Sequence, residues 1–204
     1  MSQKKQEHYY TENPTSESNK SSYNDILLGE KFTFFTDSGI FSKKHTDTGT
    51  RELIEAVDLT KSYTDILDLA CGVGIIGIVM GRFFPHANIV MTDINERAVD
   101  LARENSGCNG VKSTVYQGDC FSALPQCDKY DLILLNPPIR AGKAQNFEML
   151  NIAKSFLQDN GRIYVVVRTK QGADSFKREL EKIYNNVIQA GQGSGFKVFC
   201  SEKI

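Results

Sequence analysis

The sequence predicts an α/β fold in which short buried strands alternate with helices around a mainly parallel sheet. Short apolar runs, typical of buried strands, alternate with longer segments of helical periodicity. The run from Ile66 to Leu69 leads directly into a glycine-rich turn, Gly72-Val73-Gly74, and Ile75 then opens an apolar helix. Several of these strands end in polar residues, at the edge where parallel sheets bind their ligands. The expected fold is therefore Rossmann-like and doubly wound.

The residues before this strand predict an N-terminal extension. We expect residues 1–46 to form an arm and a β-hairpin, and residues 47–204 to form the main domain. Residues 1 to about 24 are rich in polar side chains, so this segment alone cannot bury enough apolar surface to fold. The segment from Ile26 to Thr36 predicts two short strands around a turn at Gly29.

The main domain repeats a strand and helix pattern along its length. Asp47 and Asn95 are typical N-terminal caps of helices. A helix is predicted over residues 147–157, and the pair Asn160-Gly161 is expected to stop it. The remaining predicted helices lie at 75–84 and 174–184, and the remaining strands at 88–92, 111–117, 130–135, 163–168, 187–190 and 196–201.

Length and composition limit the class of protein. The chain has 204 residues, 40 % of them apolar, which suits one α/β domain with a short extension. The net charge of −1 is not a general basic excess, so any contact with RNA must come from a local patch. The five cysteines include no Cys-x-x-Cys pair, so we expect neither a disulfide framework nor a metal site. No apolar run comes close to the length of a membrane span, which needs about 20 residues. The polar N-terminus does not have the pattern of a secretion signal. We therefore expect a cytoplasmic protein without a membrane partner.

The glycine-rich turn predicts a nucleotide-binding site. Glycine allows positive φ and lets backbone N–H groups approach a ligand, and Gly77 would let the helix pack closely on the strand. The second strand, 88–92, ends in Asp93, about 20 residues after the glycines, where a carboxylate can bind a ribose diol. Enzymes that use NAD and enzymes that use S-adenosylmethionine both need these features, so the turn leaves the cofactor open.

Asp68, at the end of the first strand, distinguishes between the two cofactors because a carboxylate there would repel a pyrophosphate. The pattern Asp68-x-x-x-Gly72-x-Gly74 resembles motif I of class I S-adenosylmethionine-dependent methyltransferases. The resemblance implies that Asp68 serves the positively charged methionine end of the cofactor, partly through water, and that Asp119 lies at the strand end that meets the adenine amine. The cofactor-binding residues implied in this way are Asp68, Ala70, Cys71, Gly72, Gly74, Asp93, Ile94, Asp119, Cys120 and Asn136.

The turn Asn136-Pro137-Pro138, directly after the fourth strand, predicts the catalytic residues. Two prolines after a buried strand fix a rigid turn without N–H donors. A carboxamide oxygen and a backbone carbonyl of this turn could accept both hydrogens of an exocyclic amine and aim its lone pair at a methyl donor, without a metal or a strong base. The turn resembles motif IV of amino-methyltransferases, in which Asn-Pro-Pro precedes an aromatic residue.

Ile139 stands where that motif has an aromatic side chain, which would stack on a flipped base. The stacking ring must then come from elsewhere, and the candidates are Phe41, Phe35, Tyr9 and Tyr10. The substrate-binding residues that we expect are Ile139, Arg140, Lys143 and Phe41, and a basic rim around phosphates could comprise Arg140, Lys143, Arg168, Lys170, Lys43 and Lys44. The turn contains no Pro-Cys, which argues against covalent methylation of pyrimidine C5.

Longer segments narrow the resemblance further. Over nearly its whole length, the chain is similar to the RsmC type of ribosomal small-subunit RNA guanine-N2 methyltransferase. The segments that carry this similarity are His8-Tyr9-Tyr10, 36–42, Asp47-x-Gly49-Thr50-Arg51, 136–143 and 170–173. This implies methyl transfer from S-adenosylmethionine to guanine N2 of 16S ribosomal RNA, with ribosomal RNA or the small ribosomal subunit as partner. Proteins of that type carry an additional N-terminal domain, so we expect RNA docking by such a domain to be missing here. N-methylation of a protein glutamine or of a nucleic-acid adenine, and a cofactor- or RNA-binding module without turnover, remain open.

Overall fold

The computed structural model describes residues 17–38, 40, 45–138 and 141–204. No helix in these ranges is long and apolar enough to cross a membrane. Short 3-10 turns lie at Cys120–Ala123 and Thr169–Gln171. The described residues form, in chain order, β1 (Ser21–Leu27), β2 (Glu30–Thr36), α1 (Thr48–Ala56), β3 (Asp65–Leu69), α2 (Ile75–Phe83), β4 (Asn88–Asp93), α3 (Glu96–Cys108), β5 (Ser113–Gln117), β6 (Tyr130–Leu135), α4 (Lys143–Phe156), β7 (Leu157–Arg168), α5 (Ala173–Tyr184), β8 (Ile188–Gly193) and β9 (Phe196–Glu202).

Seven strands form one sheet in the order β5-β4-β3-β6-β7-β9-β8. The first five of these strands run parallel to one another, whereas β9 is antiparallel to both β7 and β8. The chain runs outward from β3 through β4 to β5 and then returns to the other side of β3 as β6. This reversal creates a topological switch point at the carboxyl ends of β3 and β6, where doubly wound sheets bind ligands. The predicted Rossmann-like, mainly parallel sheet is confirmed.

Helices cover both faces of the sheet and divide the core into two layers. The hairpin, α1, α2 and α3 share one apolar cluster, which includes Phe34 and Ile54. On the opposite face, α4 and α5 pack around a second cluster that includes Leu150 and Phe176. Strands buried on both faces read as nearly continuous apolar runs, which explains why β3 and β6 were recognisable in the sequence.

The hairpin of β1 and β2 is docked on α3 by two asparagines. Asn109 accepts the backbone N–H of Thr33 at 3.1 Å through Oδ1 and donates from Nδ2 to the carbonyl of Thr33 at 2.8 Å. One helical turn away, Asn105 makes the same pair of bonds with Phe35, at 2.7 and 3.0 Å. The two carboxamides act as a neighbouring strand would, because they satisfy the backbone groups on the free edge of β2.

The predicted hairpin is confirmed, but its first strand begins earlier than expected. β1 starts at Ser21 and not at Ile26. Most residues between these two positions are exposed and polar, so their sequence pattern does not indicate a strand; they form one because they pair with the apolar β2. At the turn, Leu28 and Gly29 have φ angles of 51° and 83°, the left-handed pair that a tight two-residue hairpin requires.

The expected helix stop at Asn160-Gly161 is wrong. α4 begins at Lys143, earlier than predicted, and ends at Phe156. Asn160 lies within β7 with a φ of 64°, at an irregularity where the register between β6 and β7 shifts. A positive φ at Asn-Gly serves a turn inside a strand as well as the end of a helix, so the sequence could not distinguish the two.

Candidate active site

A cavity of about 360 Å³ lies at the carboxyl ends of β3, β4 and β6, at the switch point of the sheet. Sites for cofactors and small molecules typically enclose about 300–1,000 Å³. The cavity gathers residues from separate strand ends into one site, as the predicted fold requires. The sequence-predicted residues that line it are Ala70, Cys71, Gly72, Asp93, Ile94, Asp119, Cys120, Asn136, Pro137 and Pro138.

The loop after β3 is shaped by residues with a left-handed backbone. Ala70 and Gly72 both have a φ of 57°. This conformation is strained for Ala70, which carries a Cβ, and glycine would adopt it more readily. The N–H of Cys71 donates to the carbonyl of Thr92 at 2.9 Å and so ties the loop to the neighbouring strand β4. Apart from its two chain neighbours, no described residue has an atom within 4 Å of the place that a Cβ on Gly72 would take, and Gly72 lines the cavity with its backbone.

Two other glycines of this segment serve packing. A Cβ on Gly74 would lie 3.1 Å from Sδ of Met91, and one on Gly77 would lie 2.7 Å from the same atom. The predicted close packing of α2 on the sheet at Gly77 is therefore confirmed. Gly74, with a φ of 84°, caps α2 and does not line the cavity, so its contribution to a cofactor site is to place the helix N-terminus.

Asp68 is fully buried beneath the glycine loop and does not itself line the cavity. Its Oδ2 accepts the N–H of Gly77 at 2.8 Å, whereas Oδ1 has no hydrogen-bond partner among the described residues. Burial raises the pKa of this carboxyl to about 7; the Gly77 N–H opposes the rise and the charge of Asp93 adds to it. An unpaired buried carboxylate oxygen is costly, so a cationic group, reached directly or through water, would stabilise the ionised form.

Asp93 lines the cavity at the end of β4 and is half-buried. Its Oδ2 accepts the N–H of Gly72 at 2.8 Å, and its Oδ1 accepts the N–H of Asn95 at 2.9 Å. Burial raises the pKa of this carboxyl, and the backbone N–H groups oppose that rise. Each carboxylate oxygen can accept a further hydrogen bond, so Asp93 can hold ligand hydroxyls while it fixes the glycine loop.

The loop after β5 forms a third wall of the cavity. The N–H of Gly118 donates to the carbonyl of Asp93 at 3.0 Å, which places Asp119 and Cys120 beside the end of β4. Burial raises the pKa of the Cys120 thiol to about 12 and that of Cys71 well above its ordinary value. Both side chains are therefore neutral thiols and not activated nucleophiles. The described residues contain no group of three or more His, Cys, Asp or Glu side chains that could hold a metal.

The turn after β6 lines the cavity with Asn136, Pro137 and Pro138. Nδ2 of Asn136 donates to Oγ1 of Thr50 at 3.1 Å, and the carboxamide oxygen Oδ1 accepts no hydrogen bond from the residues that the structure describes. The carbonyl of Pro138 accepts the N–H of Ala141 at 2.8 Å and so closes the turn. Pro137 lies between Asn136 and Pro138 and also lines the cavity. Its backbone carbonyl is a second hydrogen-bond acceptor in this turn.

The sequence model of one protein family, the methyltransferase small domain, matches residues 31–200 of the chain. The chain belongs to the methyltransferase small domain family. It is 38 % identical over 199 residues to the uncharacterized protein YbxB of Bacillus subtilis (strain 168), which covers 97 % of this chain and 99 % of YbxB. It is 33 % identical over 174 residues to ribosomal RNA small subunit methyltransferase C of Haemophilus influenzae (strain PittGG), covering 83 % of this chain and 51 % of that relative. The chain thus spans about half the length of this second relative.

The fold of this methyltransferase small domain is also found in solved structures. The T. thermophilus 16S rRNA N2 G1207 methyltransferase (RsmC), in complex with AdoMet and guanosine, superposes with a TM-score of 0.82 at 22 % identity. The match covers 94 % of this chain and 52 % of that one. The predicted resemblance to class I S-adenosylmethionine-dependent methyltransferases, the fold and the cofactor are confirmed, and the chain is an S-adenosylmethionine-dependent methyltransferase.

The cavity of the methyltransferase fits this cofactor. The buried Oδ1 of Asp68 needs a positive charge nearby, and the methionine end of S-adenosylmethionine carries an ammonium group. Asp93 offers a carboxylate to the ribose hydroxyls, and the open face at Gly72 lets the ligand approach the backbone. The match to the methyltransferase small domain and the structural neighbour in complex with AdoMet support S-adenosylmethionine, so the alternative of an enzyme that uses NAD is wrong.

Several predicted substrate residues do not meet the cavity. Phe35 does not line it; its ring is half-buried in β2, with the ammonium of Lys20 5.0 Å from the ring centroid. Lys143 opens α4 without lining the cavity, and the guanidinium of Arg168 lies 5.0 Å from the centroid of the Phe196 ring. The predictions that lie outside the described residues concern Phe41, Ile139, Arg140, Lys43, Lys44, His8, Tyr9 and Tyr10.

Sequence reasoning missed part of the lining. Thr50 had a signal, because it belongs to the Asp47-x-Gly49-Thr50-Arg51 pattern, but that pattern was interpreted as the start of a helix and as part of the family resemblance, without a role for Thr50 at the cavity. The α4 contribution was missed because that helix was expected to begin later. The lining residues that were not predicted are Ile40, Thr50, Val73, Ile75, Ile76, Ala98, Ala141, Gln145 and Met149.

Proposed function

We propose that this methyltransferase acts on an exocyclic amine, and that its substrate is guanine N2 in small-subunit ribosomal RNA. The observation that carries the proposal is the carboxamide of Asn136, which lines the cavity, is bonded to Thr50 through Nδ2, and has an oxygen that no described residue uses. An acceptor in this place, next to the cofactor cavity, suits a substrate that approaches with N–H donors. A ring nitrogen without a hydrogen, or a ribose hydroxyl, would use this pair of acceptors less well.

The acceptors of the turn counter the low reactivity of an aromatic amine. The lone pair of such an amine is delocalised into the base, so it is a poor nucleophile. When Oδ1 of Asn136 and the carbonyl of Pro137 each accept one amine hydrogen, the nitrogen is drawn out of conjugation and its lone pair is directed toward the cofactor. S-adenosylmethionine, when bound, supplies an electrophilic methyl group. Orientation and electrostatic stabilisation by the chain's own acceptors then provide most of the catalysis.

Two similarities support RNA as the source of the amine. The relative from H. influenzae is named a ribosomal RNA small subunit methyltransferase, and the structural neighbour from T. thermophilus is named a 16S rRNA N2 methyltransferase. A stacked or paired guanine could not bring its amine into a cavity at the strand ends, so the base must be single-stranded or flipped. Phosphates of such a strand would be held by basic residues near the turn Asn136-Pro137-Pro138, called the acceptor turn below.

The test is methyl transfer to small ribosomal subunits, and separately to their naked RNA, both prepared from a strain that lacks this protein. The digested nucleosides are analysed by mass spectrometry. We expect one new methyl group on guanine N2. Asn136→Ala should lower kcat/KM. The expected loss of transition-state stabilisation is on the order of 2 to 4 kcal/mol, the scale measured for removal of one oxyanion-hole group. Asn136→Asp keeps the acceptor oxygens and should retain more activity than Asn136→Ala.

Each part of the proposal has its own contradicting result. A methyl group on adenine, on a ring nitrogen, on a ribose oxygen or on a glutamine of a ribosomal protein would refute the substrate. Full turnover in Asn136→Ala would refute the role of the carboxamide. Titration of Asn136→Ala with S-adenosylmethionine is the control, and an unchanged dissociation constant is expected because this side chain acts on the amine.

A further inference from the structure

Thr50 makes a side-chain contact with Asn136 although the two residues are 86 positions apart in sequence. Oγ1 of Thr50 accepts a hydrogen bond from Nδ2 of Asn136 at 3.1 Å. Thr50 is 6 % exposed, and both residues line the cavity. The hydroxyl is therefore a buried polar group that faces the acceptor turn from a different element, the first turn of α1.

We propose that Thr50 is a positioning residue that sets the orientation of the Asn136 carboxamide. The inference rests on the proposed function, because it concerns how the acceptor for the amine is aimed. A carboxamide can rotate by half a turn and exchange its oxygen with its NH₂ group. With Nδ2 bonded to Thr50, the oxygen points to the incoming amine. In the rotated form, the NH₂ group would meet the N–H groups of the substrate and could not accept from them.

The hydroxyl of Thr50 anchors one end of the carboxamide, and the productive form is the one that leaves every group paired once substrate is bound. Nδ2 then donates to Oγ1 of Thr50, and Oδ1 of Asn136 accepts from the amine. The rotated form would place donor against donor at the substrate, even though the hydroxyl, which can donate as well as accept, could still bond to the carboxamide oxygen. The substrate therefore selects the form, and Thr50 fixes the position of the carboxamide. Without the hydroxyl, Nδ2 would be left unpaired in the productive form and the carboxamide would be held less firmly.

Contacts of Thr50 and of its two neighbours in sequence hold the first turn of α1 in place. The N–H of Thr50 donates to the capping carboxylate of Asp47 at 3.2 Å. Gly49 lies so close to the ring of Phe196 that an added Cβ would be 2.9 Å from Cε1. Arg51 donates to Asp25 at 2.7 Å and to the carbonyl of Ile26 at 2.8 Å. The first turn of α1 is thus fixed by its own cap, by β9 and by the hairpin, which is more than the start of a surface helix needs.

The experiment compares Thr50→Val, which keeps the shape of the side chain and removes the hydroxyl, with Thr50→Ser, which keeps the hydroxyl. We expect Thr50→Val to lower kcat about 10- to 100-fold, on the scale of one lost hydrogen bond to a group that becomes unpaired. Thr50→Ser should retain most of the turnover. The dissociation constant for S-adenosylmethionine and the KM for RNA should stay within about twofold in both variants. Thr50→Ala is a second variant without the hydroxyl and should match Thr50→Val.

A double variant separates this inference from the proposed function. If Thr50 acts through Asn136, Thr50→Val should have almost no further effect in the Asn136→Ala background. Normal turnover in Thr50→Val, together with slow turnover in Asn136→Ala, would overturn the positioning role and leave the proposed function standing. Normal turnover in Asn136→Ala would instead overturn the proposed function. Equal losses in Thr50→Ser and Thr50→Val, or a loss of cofactor affinity or of folding in Thr50→Val, would show that Thr50 only maintains the structure.

Discussion

The two sides of the cavity are built in different ways. At the cofactor side, carboxylates accept backbone N–H groups from nearby in the chain: Gly77 donates to Asp68 and Gly72 donates to Asp93. At the acceptor side, which is the turn Asn136-Pro137-Pro138, the carboxamide of Asn136 is bonded to the side chain of Thr50. The two residues are 86 positions apart in sequence. Backbone donors on a packed loop and helix cannot rotate away, whereas a single bond between two side chains can be broken without disturbing the fold.

This difference predicts two kinds of mutant behaviour. Changes at the cofactor side should alter stability and ligand affinity together, because the same carboxylates hold the glycine loop. Changes at the acceptor side should alter turnover and leave stability and cofactor affinity nearly unchanged. Asp68 is the clearest case at the cofactor side, because its carboxyl is buried, one of its oxygens has no partner among the described residues, and burial raises its pKa to about 7.

Asp68→Asn should stabilise the free protein at alkaline pH. The pKa of Asp68 is raised from 3.8 to about 7, so the folded state resists ionisation of this carboxyl. Stability is therefore lost as the pH rises from about 4 to about 7, and the full penalty applies above that range. At about 1.4 kcal/mol per pKa unit, the neutral variant should gain on the order of 2 to 4 kcal/mol in free energy of unfolding at pH 8, and the gain should shrink toward pH 4.

The same variant should bind S-adenosylmethionine more weakly above pH 7. The ionised carboxylate attracts the positively charged methionine end, so wild-type affinity should rise with pH up to about 7, while the variant should lack this dependence. Urea unfolding and calorimetric titration over a pH series measure both effects. A destabilised Asp68→Asn at pH 8, or a pH dependence of affinity equal to that of the wild type, would show that the buried charge does not act in this way.

Asp93→Ala should weaken cofactor binding by about 1 to 3 kcal/mol, because the ribose hydroxyls lose a charged acceptor. The backbone N–H groups of Gly72 and Asn95 lose their acceptor as well, so the variant should also unfold more easily. Asp93→Asn is the matched control, since it keeps one oxygen and removes the charge. Calorimetry with the demethylated product S-adenosylhomocysteine isolates binding from turnover. Unchanged affinity in Asp93→Ala would break the link between this strand end and the cofactor.

The sequence allowed the frame of the cofactor side to be predicted, but not its full lining. Gly72 and Asp93 line the cavity, whereas Asp68 and Gly74 do not, and the lining residues of α2 and α3 were not foreseen. Strand, glycine loop, helix and second strand follow one another within 65–93, so the spacing of Asp68, Gly72 and Asp93 already determines which groups meet. The separate tasks of Gly74 and Gly77 in packing against Met91 were only partly foreseen, because they depend on the distance between a helix and a strand.

The acceptor side was predicted only in its local part. The rigid turn after β6 follows from two prolines, but the partner of Asn136 lies in α1, and no periodicity relates residues 50 and 136. The docking of the hairpin was missed for the same reason. Asn105 and Asn109 lie on a helix whose sequence gives no sign that they will satisfy the edge of β2. Contacts between elements distant in sequence were therefore what the sequence could not supply.

The smallest expected effect concerns phosphate binding beside the acceptor turn. Lys143 is exposed at the start of α4, five residues after Pro138, whereas Lys112 is exposed just before β5, at the edge formed by the amino ends of the parallel strands. Arg140 and Lys143 both adjoin the turn in sequence. The double variant Arg140→Ala with Lys143→Ala should therefore weaken RNA binding. The slope of log affinity against log salt concentration should become shallower by about one unit per lost phosphate contact. Lys112→Ala removes a charge from the remote edge and should leave the slope unchanged. Binding is measured with fluorescent RNA over a salt series, at saturating S-adenosylhomocysteine. Equal effects of the two edges would mean that RNA is attracted only by the overall charge, and an unaltered slope in both would move the phosphate contacts away from the acceptor turn.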